Sequence, residues 1–369
     1  MKAQFRDFCY AESLEEAVKI CAESAEEGDC CLLSPACASW GMFKSYQQRG
    51  TMFKDFVREL EDYNMSKIEL SYTGLMVPVI AIGCMNYCGK EEKEIEVLVK
   101  TAMEMGANFF DHADIYGGGE SERKFASAIN MNGELRSKMI LQSKCAIVPH
   151  QRYDFSKEHI LKSVDGTLQR LRTDYLDVLL LHRPDTLFDE EVAEAFAELK
   201  KSGKVRFFGV SNHNPMQMQL LEKITGEKLV ANQLQFGVAH SEMIANGINV
   251  NMKTPSANVK DGAVLEYCRL TDTTIQAWGP VRGTIKGKSI FNDENCTDLL
   301  KKLEEVGNEY GLSKEATAIA WILRHPANMQ AILGTTNTDR LKDYLTASGV
   351  KIDRQHWYDI YSAAGNNLP

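Results

Sequence analysis

Four polar side chains of different types lie in or just after apolar segments that have the composition of buried strands: Asp111, Tyr116, Lys144 and His182. Alone, each residue has an ordinary structural explanation, because aspartates cap helices, tyrosines pack half-buried, lysines face solvent and histidines are satisfied in cores. Together, the four types can deliver a proton to the oxygen anion that forms when hydride adds to a carbonyl group. Their joint placement therefore favours a catalytic set.

Each of the four side chains has a distinct use in that chemistry. A phenol with an ordinary pKa of about 10 donates slowly near neutral pH, so Tyr116 needs help. An adjacent Lys144 ammonium favours the phenolate, and we expect it to lower the pKa of Tyr116 toward the working range. A buried Lys144 stays charged beside a carboxylate, which Asp111 can supply. His182 can hydrogen-bond the carbonyl oxygen and spread its developing charge.

These residues can act together only in a fold that brings the ends of several strands close to each other. Residues 66–369 have a sequence pattern that is typical of such a fold. Eight segments are nearly continuous in apolar residues, which is typical of strands covered on both faces. These segments are 79–85, 108–113, 139–145, 175–182, 205–211, 229–236, 274–278 and 330–334. Amphipathic segments alternate with them, at 91–105, 121–129, 157–171, 190–201, 215–223, 261–269, 297–310 and 339–347, with an additional one at 314–323.

The alternation predicts an α/β fold of the (β/α)8 TIM-barrel type, in which functional residues lie at the carboxyl ends of the strands. The alternative is a doubly wound open sheet. No G-x-G-x-x-G motif follows the first predicted strand, which counts against the dinucleotide site that such sheets carry.

The motifs at the strand ends, in their order, resemble those of the aldo-keto reductase superfamily. They are D-x-A-x-x-Y at 111–116, SKC at 143–145, LHRPD at 181–185, GVSN at 209–212 and NQ at 232–233. The HADIYG form is similar to a bacterial subgroup of general oxidoreductases. The resemblance implies NAD(P)H-dependent reduction of an aldehyde or ketone to an alcohol, with Asp111, Tyr116, Lys144 and His182 as the catalytic residues. Tyr116 is then the general acid, and no metal is expected.

The resemblance also implies the position of the nicotinamide. Ser211, Asn212 and Gln233 match the positions that hydrogen-bond the carboxamide, a role for which a hydroxyl and two amides are chemically suited. Trp278 matches the aromatic residue that stacks on the nicotinamide ring, although core packing is an alternative role for it.

The chain departs from the family pattern at the adenosine end. Gly334 stands where the family often has a lysine, and Thr335 stands in place of a serine, with Thr336 beside it. Arg340 matches the family's arginine and can clamp a 2′-phosphate bidentately. The resemblance therefore implies NADPH as the cofactor, with NADH as the alternative.

Residues 1–62 form a separate segment with its own pattern. It predicts helices at 13–26, capped by Ser13, and at 51–61, with a short strand at 30–34. One strand cannot cover both of its edges, so the segment has the pattern of an incomplete α/β extension. Its run LLSPACASWGMFKSYQQRG resembles the C-terminal tail of a Mur ligase, UDP-N-acetylmuramoylalanine–D-glutamate ligase. A gene fusion without ligase activity is expected, because the chain has no G-x-x-x-x-G-K-[ST] motif; an interaction module is the alternative.

The composition narrows the function classes. A net charge of −9 argues against a basic face for nucleic acid, and no apolar run is long enough to span a membrane. Five of the ten cysteines lie in the first 40 residues, but without C-x2-C pairs they are expected to be reduced thiols of a cytoplasmic protein. We expect a small-molecule carbonyl substrate. A cofactor-binding, redox-sensing barrel without turnover is the alternative function, and the sequence leaves the oligomeric state open.

Overall fold

The computed structural model describes residues 10–11, 13–25, 33, 43–60, 65–254, 257–327 and 329–368, in two units, Met1–Asn64 and Met65–Pro369. In the first unit, helices α1 (Leu14–Ser24) and α2 (Tyr46–Leu60) pack against each other. The Ser13 hydroxyl accepts a hydrogen bond from the Glu16 backbone N–H at 3.0 Å, which confirms the predicted cap. Helix α2 begins five residues earlier than predicted. The predicted strand at 30–34 lies outside the described residues except for Leu33.

Within the described residues, the second unit contains a closed barrel of eight parallel strands. The strands are β3 (Ile80–Gly83), β4 (Phe109–Asp111), β5 (Ile140–Cys145), β8 (Leu176–Leu181), β9 (Val205–Ser211), β10 (Leu229–Gln235), β11 (Thr274–Trp278) and β12 (Met329–Leu333). Each strand pairs with the next, and β12 closes the barrel on β3 through the Ala331–Ile80 register. The TIM-barrel prediction is confirmed, and the open-sheet alternative is wrong.

The helices that surround the barrel lie within a few residues of the predicted segments, and their apolar faces pack on the strands. They are α3 (Glu92–Glu104), α4 (Glu120–Ala128), α6 (Lys157–Leu171), α7 (Glu191–Lys201), α8 (Pro215–Thr225), α10 (Val264–Leu270), α11 (Thr297–Tyr310), α12 (Lys314–Leu323) and α13 (Thr338–Leu345). Among the residues that the structure describes, no helix combines the length and apolar character needed to cross a bilayer.

Several short elements have no counterpart in the prediction. They are the hairpin β1 (Lys67–Glu69) with β2 (Met76–Pro78), the hairpin β6 (Ile147–Val148) with β7 (Arg152–Tyr153), and helices α5 (Gly133–Ser137), α9 (Glu242–Ile248) and α14 (Arg354–Ala363). Leu70 and Val77 of the first hairpin segment are fully buried and pack with Phe109 and Val178 inside the barrel. Two strands of three residues are too short to show periodicity in a sequence.

Helix α14 did carry a signal, since its buried residues Trp357, Ile360 and Tyr361 recur at helical spacing. Trp357 stacks on Trp321 of α12 with ring centroids 4.8 Å apart. Each indole N–H donates to the other residue's backbone carbonyl, at 2.9 and 3.0 Å. The two hydrogen bonds and the stacked rings connect α14 to α12.

Candidate active site

Lys144 is the centre of a buried hydrogen-bond group at the carboxyl end of the barrel. Its side chain is fully buried in β5, and its ammonium donates to Asp111 Oδ2 at 2.7 Å and to the His112 carbonyl at 2.8 Å. The same ammonium donates to the Tyr116 hydroxyl at 3.2 Å. Asp111 ends β4, and Tyr116 follows in a short helical turn, so two neighbouring strands supply three of the four predicted catalytic residues.

The turn that carries Tyr116 depends on glycine. Gly117 has a φ of 58°, in the left-handed region that favours glycine. A Cβ added at this position would lie 2.5 Å from Cβ of Cys88, so no side chain fits without moving the neighbouring loop. The sequence GGG at 117–119, with positive φ at all three residues, therefore permits the tight turn that follows Tyr116.

The pKa of Lys144 moves in the predicted direction, whereas the pKa of Tyr116 does not. Burial acts to lower the pKa of Lys144, but the Asp111 carboxylate and Tyr116 oppose it and raise that pKa above its ordinary value. Burial raises the pKa of Tyr116, the Lys144 charge lowers it only in part, and Asp111 raises it further. The prediction that Lys144 brings the pKa of Tyr116 below its ordinary value is therefore wrong. The reason is that the phenol loses water on burial and faces a carboxylate beyond the lysine.

His182 follows β8 and completes the set. Its ring lies edge-on to Tyr116 with centroids 6.0 Å apart, and its backbone N–H donates to the Cys145 carbonyl at 3.0 Å. Burial, with smaller effects of Lys144 and Arg183, lowers the pKa of His182 to about 3, so the imidazole is neutral near pH 7. Its Nδ1 is buried with no hydrogen-bond partner among the described residues. A neutral imidazole can donate one N–H to a carbonyl oxygen.

Asp111 also has amide partners that the sequence did not suggest. Gln142 Nε2 and Gln233 Nε2 both donate to Asp111 Oδ1, at 2.6 and 3.1 Å. The carboxylate therefore receives the ammonium on one oxygen and two amides on the other. Hydrogen bonds of this kind stabilise the charged form and fix its orientation.

The amides continue below Asp111 as a chain through the barrel interior. Gln142 and Gln276 exchange two hydrogen bonds, at 2.9 and 3.0 Å. Gln276 also donates to Gln330 Oε1 at 2.9 Å, and Gln330 donates to the Pro78 carbonyl at 2.7 Å. These glutamines are fully buried. In the sequence, each is a polar residue inside a mainly apolar strand.

Of the residues predicted to hold the carboxamide, Gln233 is placed differently from the other two. Its amide N–H groups are used by Asp111 and by Gln276 at 3.2 Å. Its Oε1 is left without a hydrogen bond among the described side chains. Gln233 thus connects the predicted nicotinamide site to the Asp111 carboxylate.

Ser211, Asn212 and Trp278 form a second connected group. The Ser211 hydroxyl donates to the Gln233 carbonyl at 2.9 Å and accepts from Asn212 Nδ2 at 2.8 Å. Trp278 Nε1 donates to Asn212 Oδ1 at 3.1 Å, and the Arg282 guanidinium lies 5.1 Å from the indole centroid. The structure brings the three predicted residues to one place at the carboxyl ends of β9 and β11.

The predicted adenosine end is exposed. Gly334 and Arg340 face solvent, and Thr335 and Thr336 are half-buried. The Thr335 hydroxyl accepts from the Asn337 backbone N–H at 3.2 Å, and Asn337 Oδ1 caps α13 by accepting from the Arg340 backbone N–H at 2.8 Å. The Arg340 side chain has no ion pair in the part of the chain that the structure describes.

A cavity of about 360 Å³ opens beside Asn212 and Trp278. Its lining includes Arg183, Asn212, Gln235, His240 and Trp278, from the ends of β8, β9, β10 and β11 and the loop after β10. The lining is mainly amide, charged and aromatic. Among the described residues, no cluster of histidine, cysteine, aspartate and glutamate has the arrangement of a metal site.

Comparison with known proteins agrees with this geometry. Residues 79–364 match the aldo/keto reductase family. The uncharacterized oxidoreductase YcsN of Bacillus subtilis (strain 168) is 37% identical over 299 residues, which cover 77% of this chain and 93% of YcsN. A 6-dehydroglucose reductase of Agrobacterium fabrum is 33% identical, with 73% of this chain and 87% of that protein covered. A crystal structure of the thermostable aldo-keto reductase Tm1743 with the inhibitor epalrestat is similar, at a TM-score of 0.65 and 27% identity, covering 81% of this chain and all of Tm1743.

Proposed function

Since the chain belongs to the aldo/keto reductase family of nicotinamide-dependent oxidoreductases, we propose that it reduces an aldehyde or ketone to an alcohol with NADPH, and that Tyr116 is the general acid. The observation that carries the proposal is the hydrogen-bonded series from the buried Asp111 and Lys144 to the half-buried Tyr116. Burying the two charged groups of Asp111 and Lys144 costs stability unless they are paired, and a fold has little structural use for them at a strand end beside a half-buried Tyr116.

The proton chemistry follows from the four side chains. The cofactor supplies the hydride. His182 and Tyr116 hold the carbonyl oxygen by hydrogen bonds, and the Tyr116 hydroxyl passes its proton to that oxygen as negative charge develops on it. The raised pKa of Tyr116 keeps the phenol protonated at rest, and an alkoxide is basic enough to take the proton. Lys144 stabilises the phenolate that remains, and Asp111 with its amide donors keeps Lys144 charged.

The polar groups around the proposed nicotinamide site suit a carboxamide. Asn212 and Ser211 present amide and hydroxyl groups, and Gln233 Oε1 has an unused acceptor. The half-buried Trp278 ring offers a flat surface for stacking. Arg340, Thr335 and Thr336 are suited to a 2′-phosphate, and without a lysine at Gly334 we expect only a weak preference for NADPH over NADH.

The decisive experiment is turnover of the purified protein with NADPH and NADH against a panel of aldehydes and ketones. Tyr116→Phe should bind cofactor but lose at least ~10²-fold in kcat/KM, the usual worth of a positioned acid. Tyr361→Phe is the matched control, because the Tyr361 hydroxyl is buried without a partner among the described residues and lies in α14. Equal turnover in both variants removes Tyr116 from its role. Cofactor binding without turnover of any carbonyl favours the redox-sensing alternative.

The N-terminal unit is proposed to have no part in this reaction. Its resemblance to a Mur ligase tail, and its origin by gene fusion, stay predictions. The similarity of the HADIYG motif to a bacterial subgroup also stays a prediction.

A further inference from the structure

Arg183 has no part in the chemistry proposed above, yet it follows His182 directly in the chain. Its half-buried side chain lines the cavity together with Asn212 and Trp278. Within the described ranges, Arg183 forms no ion pair with a carboxylate and no side-chain hydrogen bond. Of the other buried or half-buried arginines of the barrel, Arg136 pairs with Asp177 at 2.7 Å and Arg170 with Glu122 at 2.6 Å, while Arg324 donates to the Ile352 carbonyl at 2.6 Å.

The acidic residues of the same cavity have other neighbours. Glu242 lies 3.5 Å from Nδ1 of His240, and Asp261 accepts the backbone N–H of Ala263 at 3.0 Å. Lys260 adds a second positive charge to the lining. The guanidinium of Arg183 therefore lines the cavity without an ion pair to either of these carboxylates.

The charge of Arg183 acts close to the proposed reaction centre. It is one of the causes that lower the pKa of His182, after burial and Lys144, and it also lowers the pKa of His213. A guanidinium in this position presents a planar set of N–H donors that matches a carboxylate bidentately. For a half-buried cation that has no ion pair within the protein, we expect the bound ligand to supply the anionic group.

We propose that Arg183 binds a carboxylate of the substrate, so that the preferred substrates are small oxo acids, carbonyl compounds that also bear a carboxylate. The inference rests on the proposed reductase function, since it assumes that the carbonyl lies at Tyr116 and His182. The cavity volume of about 360 Å³ is at the lower end of ligand pockets, which suits a small molecule. The amide of Gln235, which also lines the cavity, can bind a further polar group of such a substrate.

The test compares 4-carboxybenzaldehyde with its methyl ester, which has the same aldehyde and ring but no charge. We expect the parent protein to favour the acid over the ester by at least ~10-fold in kcat/KM. Arg183→Gln should lose ~10–100-fold for the acid and remain within about threefold for the ester, and Arg183→Lys should recover part of the loss. Lys200→Gln, which removes an exposed charge paired with Glu227, is the control for net charge.

A binding measurement makes the result independent of turnover. Calorimetric titration of the protein with 4-(hydroxymethyl)benzoate and NADP⁺ should show binding that Arg183→Gln weakens by the same factor. An acid-to-ester ratio that is unchanged in Arg183→Gln overturns the inference while leaving the reductase function intact. A loss of NADPH affinity in Arg183→Gln with that ratio unchanged also overturns it, and assigns Arg183 to the cofactor. Reduction of neither compound, and of nothing else in the carbonyl panel, overturns the proposed function itself.

Discussion

The two ends of the proposed dinucleotide site are built differently. At the nicotinamide end, Asp111 and Lys144 are buried, and their charged groups bond to each other and to neighbouring side chains and backbone. At the adenosine end, Arg340 is exposed and the groups near it mainly cap a helix. At the nicotinamide end the charged groups are held in place by hydrogen bonds within the protein. At the adenosine end the charge of Arg340 is exposed to solvent.

The difference matches what each end has to do. Proton delivery depends on angles and distances that must be fixed in advance, because reorganisation during the reaction raises the barrier. A phosphate is a large, symmetric anion that an arginine side chain can bind in several orientations. Substitutions at the two ends should therefore differ in size and in kind.

The largest effect is expected for Lys144→Met. Removal of the ammonium leaves burial and Asp111 to act on Tyr116, so the pKa of the phenol should rise further and kcat/KM should fall by at least ~10²-fold. The descending limb of the pH–rate profile should move to higher pH. The variant also leaves a buried carboxylate unpaired, at a cost of about 3–5 kcal/mol, so folding must be checked by thermal denaturation. An unchanged profile in a folded variant contradicts the coupling.

A smaller effect, divided between stability and rate, is expected for Gln142→Leu. The change removes one donor from Asp111 and leaves Gln276 with an unmatched amide, at a cost of about 1–3 kcal/mol in unfolding free energy. Gln330→Leu is the matched comparison, because it lies at the far end of the same chain of amides. Both variants should lose stability in denaturant titrations, but only Gln142→Leu should lower kcat. Equal kcat in the two would mean that the amides have a structural role alone.

At the exposed end, Arg340→Ala should change binding only. We expect a loss of about 1.5–3 kcal/mol in NADPH affinity, the range for a hydrogen bond to a charged group, with NADH affinity unchanged. The loss should shrink at high salt because Arg340 is exposed. Fluorescence titration with both cofactors measures it, and equal losses for NADPH and NADH would give Arg340 a different task.

The smallest effect is expected on removal of residues 1–64. The eight barrel strands and the helices between them lie after Met65, so residues 65–369 alone should keep the same kcat/KM and nearly the same melting temperature. Comparison of the shortened and full-length chains measures both quantities. A marked fall in either would show that the N-terminal unit supports the barrel.

Much of this site was predictable from the sequence because residue type and strand periodicity are local properties. Strand β9 and helix α11 occur at the predicted residues, and Asp111, Tyr116 and Lys144 meet where the pattern indicated. The direction of the Tyr116 pKa was not predictable in the same way, because it is a difference between burial and two opposing charges. The buried glutamines were missed because their partners are distant in sequence, as Gln142 and Gln276 are 134 residues apart.

The glutamine chain has a consequence for how the barrel can be divided. Strands β3, β4, β5 and β8 form one half of the barrel and β9 to β12 the other. The links from Gln142 to Gln276 and from Gln233 to Asp111 both join one half to the other across the interior. If the chain is cut in the turn after α7, each fragment alone must bury side-chain amides that have lost their hydrogen-bond partners. Neither fragment should therefore fold stably when it is produced alone. Produced together, the two should assemble into one structure that unfolds cooperatively.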